Sequence, residues 1–113
     1  MWQMQRTVAN FDAARFRSLG PGYLALSLAG EAGELANVVK KAWRVNPLIG
    51  QPDGYSVVTA EHRGLIADEL ADVVMLSLVL ANHLGIDVEA EVGRKLETID
   101  ERVRQGYYGH EQA

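Results

Sequence analysis

The strongest constraint on the fold is a segment, residues 70–81, that is apolar on every side of a helix. A helix that is hydrophobic all round is normally buried. Asp72 interrupts the segment, which is also shorter than the about 20 residues that a membrane span needs, so we expect burial in protein and not in lipid. The chain must therefore surround this helix with other helices or with a second subunit. Its large apolar side chains are Leu70, Val73, Val74, Met75, Leu76, Leu78, Val79 and Leu80.

Turn-forming residues divide the chain into four helical segments. Gly20-Pro21-Gly22 ends the first segment, and proline and glycine residues between 45 and 58 indicate a loop. Thr59 and Asp87 are suitable N-caps, and Gly85 can end a helix in the left-handed conformation. Apolar residues recur at helical spacing within each segment. We therefore predict helices over residues 3–19 and 21–44, from Thr59 to residue 84, and from Asp87 to about residue 103.

The length of 113 residues suits one compact domain or one subunit of an assembly. No repeat, low-complexity run or domain linker is visible, so residues 1–113 are expected to form a single domain with a flexible polar tail at 106–113. Four helices of this length cannot enclose the third one alone, because small domains bury a limited share of their surface. The predicted fold is all-α: a four-helix bundle-like protomer, assembled through helix packing into a dimer or tetramer.

Charge and composition exclude several classes of function. The chain has 15 acidic and 11 basic residues, and its net charge of −4 argues against a nucleic-acid partner. It has no cysteine, which excludes disulfides, thiolate zinc sites and a cysteine nucleophile. No secretory signal is recognisable at the start. We expect a cytoplasmic protein with neither a nucleic-acid nor a membrane partner.

Two pairs of carboxylates interrupt the apolar helices. Glu31 and Glu34 lie three residues apart in the second helix, and Glu69 and Asp72 lie three residues apart in the third. Residues at this spacing share a helix face, so each pair points its carboxylates the same way. A buried carboxylate is costly unless a base or a metal compensates its charge. These four residues are therefore the first candidates for a functional site.

The carboxylates allow two interpretations, a structural network of salt bridges or a metal site. Basic residues are scarce nearby, since Lys40, Lys41 and Arg44 lie two or more turns from Glu31. Four convergent carboxylates suit a hard divalent cation such as Mg²⁺, and the Glu-x-x-His pairs of di-iron bundles are absent. The metal site is the favoured interpretation. A metal held this way, with water on its open positions, suggests hydrolysis of a phosphate compound.

Three further residues are candidates for substrate contacts. Lys95 and Arg102 lie seven residues apart on one face of the fourth helix, from which they could steer a polyphosphate. Their spacing alone is more typical of a solvated helix edge, with Glu91 pairing to Lys95. Trp43 could stack weakly on a base, although a tryptophan in this context more often belongs to a core or an interface.

The two acidic motifs resemble those of a known family. Gly30-Glu31-Ala32-Gly33-Glu34-Leu35 and Glu69-Leu70-Ala71-Asp72-Val73-Val74 are similar to the Glu-x-x-Glu and Glu-x-x-Asp signatures of the MazG-like, all-α nucleoside triphosphate pyrophosphohydrolases. The similarity covers about residues 20–104, and the segment 24–35 is especially similar to the dCTP pyrophosphatase branch. The presence of both motifs, in order and on successive helices, makes the resemblance specific.

The resemblance implies a Mg²⁺-dependent enzyme, with Mn²⁺ as a substitute metal, that cleaves a nucleoside triphosphate between its α- and β-phosphates. The products are a nucleoside monophosphate and pyrophosphate, and the activity clears unwanted nucleotides from the pool. Such proteins work as dimers or tetramers with sites between helices of neighbouring chains. Carried over to this sequence, the metal ligands and catalytic residues are Glu31, Glu34, Glu69 and Asp72, and the phosphate contacts are Lys95 and Arg102.

Several alternatives stay open at the level of the sequence. One glutamate of the set would orient or deprotonate the attacking water, and the sequence does not select which one. It also leaves open one metal or two, dimer or tetramer, and the preferred base and sugar. The alternative function is a catalytically idle helical module that senses nucleotides or binds a partner protein.

Overall fold

The chain forms four α-helices in the computed structural model, which describes residues 1–15, 20–45 and 59–106. The helices are α1 (Gln3–Arg15), α2 (Pro21–Val45), α3 (Ala60–Leu84) and α4 (Val88–Arg104). No strand occurs among the described residues, so the predicted all-α fold is confirmed. The end of the first predicted helix (16–19), most of the predicted loop (46–58) and most of the predicted tail (107–113) lie outside the described residues.

The capping residues predicted for α3 and α4 set the bounds of these helices. The hydroxyl of Thr59 accepts a hydrogen bond from the backbone N–H of His62 at 3.2 Å, which satisfies one of the free donors of the first turn of α3. Gly85 ends α3 with a φ of 69°, a conformation that glycine adopts without steric cost. The Asp87 carboxylate accepts from the N–H of Ala90 at 3.3 Å and begins α4. These local signals confirm the predicted turn between α3 and α4.

Buried polar groups fasten α1 to the far end of α3 and to the start of α4. The side-chain amide of Gln5 is fully buried and donates to Asn82 Oδ1 at 3.0 Å and to the carbonyl of Ile86 at 2.7 Å. Its oxygen accepts from the N–H of Val88 at 3.0 Å. A second contact lies about two turns after Gln5 on α1, where Asp12 Oδ2 is 2.8 Å from His83 Nε2 of α3. These bonds make α1 an integral part of the fold.

The core is small and lies where α2 and α3 pack together. Among the described residues, the buried apolar side chains are Leu24, Ala42, Leu78, Val79 and Ala81. Within the described part of one chain, α1 and α2 cover only part of the circumference of α3, and Leu70 and Val74 of its apolar segment are 49% and 38% exposed. None of the described helices combines the length and the apolar character needed to cross a membrane.

The fourth helix departs from the predicted bundle. None of the residues of α4 is buried, and its predicted apolar stripe is exposed at Val92, Leu96 and Ile99. The first turn of α4 is held against α1, but the rest does not close a four-helix bundle within one chain. The apolar periodicity of α4 correctly predicted its helix, whereas none of the other described segments buries its apolar stripe.

Candidate metal centre

The packing of α2 on α3 brings three of the four predicted carboxylates together. Glu31 comes from α2, and Glu69 and Asp72 come from adjacent turns of α3. One carboxylate oxygen from each residue can be chosen so that all three oxygens lie within 4.8 Å of one another. All three side chains are half-buried. The i, i+3 spacing on α3 fixes one side of this cluster, and the α2–α3 contact supplies the other.

Glu34 lies beside these three carboxylates without belonging to the closest group. It is exposed on α2, one turn after Glu31. Its negative charge contributes to raising the pKa values of both Glu31 and Glu69, so it is part of the same electrostatic environment. The four predicted site residues thus share one region of the protein, with Glu34 on its solvent side.

Two oxygens of the cluster lack partners although they are buried. Glu31 Oε2 and Glu69 Oε2 are shielded from solvent and have no hydrogen-bond partner among the described residues. The ion pairs formed between described residues include none of the four carboxylates. The salt-bridge network considered from the sequence is therefore not found in the part of the chain that the structure describes. Unpartnered buried oxygens are the property expected of a site that a cation completes.

Without a cation, the pKa values of two glutamates in the cluster are raised, so a proton stays bound up to near-neutral pH. The pKa of Glu31 is raised to about 7, first because its protonated carboxyl hydrogen-bonds to Glu69, then because burial disfavours its charge, and then because Glu34 and Asp72 repel it. The pKa of Glu69 is also raised, chiefly by burial, while its hydrogen bond with Glu31 acts in the opposite direction. A divalent cation would replace this proton and relieve the repulsion.

The donor set fits a hard cation. All the donors are carboxylate oxygens, the ligand type that Mg²⁺ prefers, and the chain contains no cysteine to favour a softer metal. Three carboxylates leave coordination positions for water or for phosphate oxygens, as is usual for Mg²⁺ sites that act on phosphate compounds. The residues present could therefore hold Mg²⁺, or Mn²⁺ in its place.

A cavity adjoins the cluster and shares two of its carboxylates. It has a volume of about 250 Å³, below the range of about 300–1,000 Å³ that is typical of pockets for whole drug-sized ligands, so it suits one part of a larger ligand. A molecule bound at the carboxylates can extend into it, because Glu31 and Asp72 belong to both. The residues that line the cavity are Tyr23, Leu24, Ser27, Glu31, Asp72, Met75, Leu76 and Val79.

Two polar residues of this cavity, Tyr23 and Ser27, are not among the site residues predicted from the sequence. Both lie on α2, and Ser27 makes no hydrogen bond to the other described residues. A signal was present, since Tyr23, Ser27 and Glu31 follow one another at intervals of four residues and therefore share a face of the helix. The Asp12–His83 pair was also missed, because its two residues are 71 positions apart and no spacing within one helix relates them.

The other predicted contact residues lie away from the cluster. Trp43 is 55% exposed near the end of α2, twelve residues from Glu31, which is about 18 Å along a helix, and it does not line the cavity. Lys95 and Arg102 are exposed on α4. No ion pair between described residues joins either of them to the acidic cluster. Their contact with phosphate stays a prediction.

Comparison with known proteins supports the resemblance inferred from the motifs. The model of the MazG-like family matches residues 48–107, a range that includes Glu69, Asp72, Lys95 and Arg102. The Gene 37 protein of Mycobacterium phage L5 is 36% identical to this chain over 87 residues, which cover 77% of this chain and 69% of that protein. Together with the all-α fold and the acidic motifs on α2 and α3, these matches show that the chain belongs to the MazG-like family.

Proposed function

We propose that this protein is a Mg²⁺-dependent nucleoside triphosphate pyrophosphohydrolase. The observation that carries the proposal is the group of three carboxylates, from Glu31, Glu69 and Asp72, with oxygens within 4.8 Å of one another and no basic partner among the described residues. Membership of the MazG-like family supports the same reaction. A triphosphate is repelled by such a cluster, so its binding there requires a cation between the two.

The carboxylates would hold the metal and manage the proton of the attacking water. Glu31, Glu69 and Asp72 are the metal ligands in this proposal, and Glu34 stands beside them on the solvent side. Mg²⁺, when bound, would neutralise the phosphate charge and make the phosphorus more electrophilic. One of the glutamates accepts the proton of a water whose oxygen forms a bond to phosphorus.

One oxygen bridges the α- and β-phosphates. The bond that breaks is either the bond from this oxygen to the α-phosphorus or the bond from it to the β-phosphorus. In either case the water oxygen ends on one product, the bridging oxygen on the other, and the products are a nucleoside monophosphate and pyrophosphate. Lys95 and Arg102 would contact the phosphates once a substrate is bound. We also propose a homodimer or homotetramer that acts in the cytoplasm to remove unwanted nucleotides.

The cavity beside the cluster would receive the nucleoside end of the substrate. Its walls are mostly apolar, and the Tyr23 ring stands exposed at its edge, where it can cover a flat base. The Ser27 hydroxyl lies on the same face and has no hydrogen bond to the other described residues, so it can donate to or accept from a ligand. With so few polar groups, the cavity would recognise shape more than base edges, and Trp43 would not be needed for stacking.

A product assay tests this proposal. The protein is incubated with the eight common ribo- and deoxyribonucleoside triphosphates and dUTP, with and without Mg²⁺, and pyrophosphate is separated from orthophosphate. We expect pyrophosphate release that requires the metal and is abolished by Glu69→Gln, whereas Glu97→Gln on the exposed surface of α4 leaves the rate unchanged. Nucleotide binding without turnover by the folded protein would contradict the proposal and favour the idle sensing module instead.

A further inference from the structure

Most polar residues of α2 lie on one side of the helix. From Glu31 onwards they recur at intervals of three, three, four and three residues, which is the spacing of a single helix face. All of them except the half-buried Glu31 are exposed. We call this row the α2 polar strip, and its members are Glu31, Glu34, Asn37, Lys41 and Arg44.

The charge of the α2 polar strip changes sign along the helix. Its first two residues are carboxylates, whereas Lys41 follows Glu34 by seven residues, which is two turns and about 10 Å along the helix axis. Arg44 follows Lys41 after one further turn. Neither basic residue forms an ion pair with another described residue. The second half of α2 therefore carries positive charge that the described part of the chain does not neutralise.

The basic end of the α2 polar strip and the cavity lie on opposite sides of the acidic cluster along α2. On this helix the cavity is lined by Tyr23, Leu24 and Ser27, which precede Glu31 by four to eight residues. Lys41 follows Glu31 by ten residues, about 15 Å along the axis. Along α2 the order is therefore a mostly apolar cavity, then the carboxylates, then a basic end.

We propose that Lys41 and Arg44 bind the pyrophosphate part of the substrate, its β- and γ-phosphates, so that the nucleotide lies along α2 with its terminal phosphate towards Arg44. The inference rests on the proposed function, to which it adds a phosphate-binding site and the direction of the bound nucleotide. The nucleoside and the three phosphates form a linear chain. With the nucleoside in the cavity and a cation holding the chain at the carboxylates, the other end of the chain points to the second half of α2.

Charge explains why a binding site is needed at this end of the substrate. The β- and γ-phosphates carry most of the negative charge of a triphosphate, and Glu34, exposed on the solvent side of the cluster, repels them. An ammonium group and a guanidinium group both donate charge-assisted hydrogen bonds to phosphate oxygens. Lys41 and Arg44 would therefore neutralise the phosphate charge that a cation at the cluster leaves uncompensated.

Basic residues near the end of a helix also stabilise its C-terminus, and two adjacent lysines separate that role from ligand binding. Lys40 and Lys41 are almost equally close to the end of α2 at Val45, so a purely structural role predicts similar effects of their removal. Consecutive residues of a helix are rotated by about 100°, so Lys41 lies on the α2 polar strip and Lys40 does not. Lys40→Ala is therefore the matched control for Lys41→Ala.

Titration calorimetry of the full chain with inorganic pyrophosphate in the presence of Mg²⁺ tests the binding site without requiring turnover. We expect Lys41→Ala to bind pyrophosphate about tenfold more weakly than wild type, the order expected for the loss of one hydrogen bond to a charged group. Lys41→Arg should retain most of the affinity, and Lys40→Ala should bind like wild type. Equal losses in the two alanine variants, no loss in Lys41→Ala, or a wild-type protein without affinity for pyrophosphate would overturn the proposal.

Product inhibition tests the direction of the bound nucleotide and separates this inference from the proposed function. In Lys41→Ala, inhibition of triphosphate turnover by pyrophosphate should be about tenfold weaker, whereas inhibition by the nucleoside monophosphate should stay within about twofold of wild type. The reverse pattern would overturn the proposal. Turnover with unchanged pyrophosphate inhibition in this variant refutes the inference alone, whereas pyrophosphate binding through Lys41 without any turnover refutes the proposed function alone.

Discussion

The affinity for Mg²⁺ should depend steeply on pH, because a cation must displace the proton held by the acidic cluster. The pKa of Glu31 is about 7 in the metal-free protein, mainly through its hydrogen bond to Glu69. At this pKa, Glu31 is deprotonated in about one molecule in eleven at pH 6 and in about ten in eleven at pH 8. Only the deprotonated form binds the cation without releasing a proton. The apparent affinity should therefore be about tenfold weaker at pH 6 than at pH 8.

Titration calorimetry measures this effect directly. The protein is titrated with Mg²⁺ at pH 6, 7 and 8 at constant ionic strength, and at pH 7 in two buffers of different ionisation enthalpy, whose comparison counts the protons released. Near pH 7 we expect about half a proton per Mg²⁺. Glu31→Gln should bind more weakly and lose the dependence on pH over this range. An affinity for Mg²⁺ that is flat from pH 6 to pH 8 in the wild-type protein would refute the reasoning.

Further predictions concern stability and substrate binding. In EDTA the melting temperature should fall as the pH rises from about 5 to 8. The pKa of Glu31 is raised from 4.5 to about 7 in the folded state, so its protonated form stabilises the fold at low pH and this stabilisation is lost as the pH rises through 7. Glu31→Gln should flatten this dependence. Leu78→Ala should lower the free energy of unfolding in urea by about 2–5 kcal/mol, because the side chain is 2% exposed, whereas Leu84→Ala, at 54% exposed, should cost less than about 1 kcal/mol. Gln5→Ala should cost about 2–4 kcal/mol in the same assay through the lost hydrogen bonds and the unpaired N–H of Val88, and a loss below about 0.5 kcal/mol would show that the network is not structural. Tyr23→Ala should raise KM for the nucleoside triphosphate several-fold while the affinity for Mg²⁺ in calorimetry stays unchanged, and an unchanged KM would exclude the cavity as the nucleoside site.

Helix bounds and caps were predictable from the sequence because their causes are local. Thr59, Gly85 and Asp87 act on backbone groups within a few residues, and the structure places each of them where the sequence indicated. The acidic cluster could also be predicted from the sequence. Its i, i+3 spacing fixes which residues share a helix face, and carboxylates are unusual in such apolar helices. Local rules were sufficient for these features.

Contacts between distant segments were not predictable in the same way. Gln5 bonds to residues more than 75 positions away, and Asp12 bonds to His83 across the α1–α3 contact, so no pattern within either helix identifies the partner. The predicted bundle was incomplete for a related reason. An apolar stripe on α4 indicates that something covers it, but the period of the stripe carries no information on whether the cover is the same chain or another copy.

The cavity beside the acidic cluster was predictable from the sequence only in part. Tyr23 and Ser27 share a helix face with Glu31, which the sequence contains, but the opposite wall comes from Met75, Leu76 and Val79 on α3, which only the packing of the two helices defines. A binding site formed between helices therefore needs both the spacing within each helix and their relative placement. The sequence contains the spacing within each helix, whereas only the structure shows how the two helices are placed relative to each other.

The most direct test of the metal centre is a crystal structure of the protein grown with Mn²⁺, with diffraction collected to reveal the anomalous scattering of the metal. We expect an anomalous peak between α2 and α3, bound by carboxylate oxygens of Glu31, Glu69 and Asp72 at about 2.0–2.3 Å. The same crystals of Glu69→Gln should show a weaker peak or none. A wild-type structure in which Mn²⁺ binds elsewhere and no metal lies between the three carboxylates would contradict the assignment of this cluster as the metal centre.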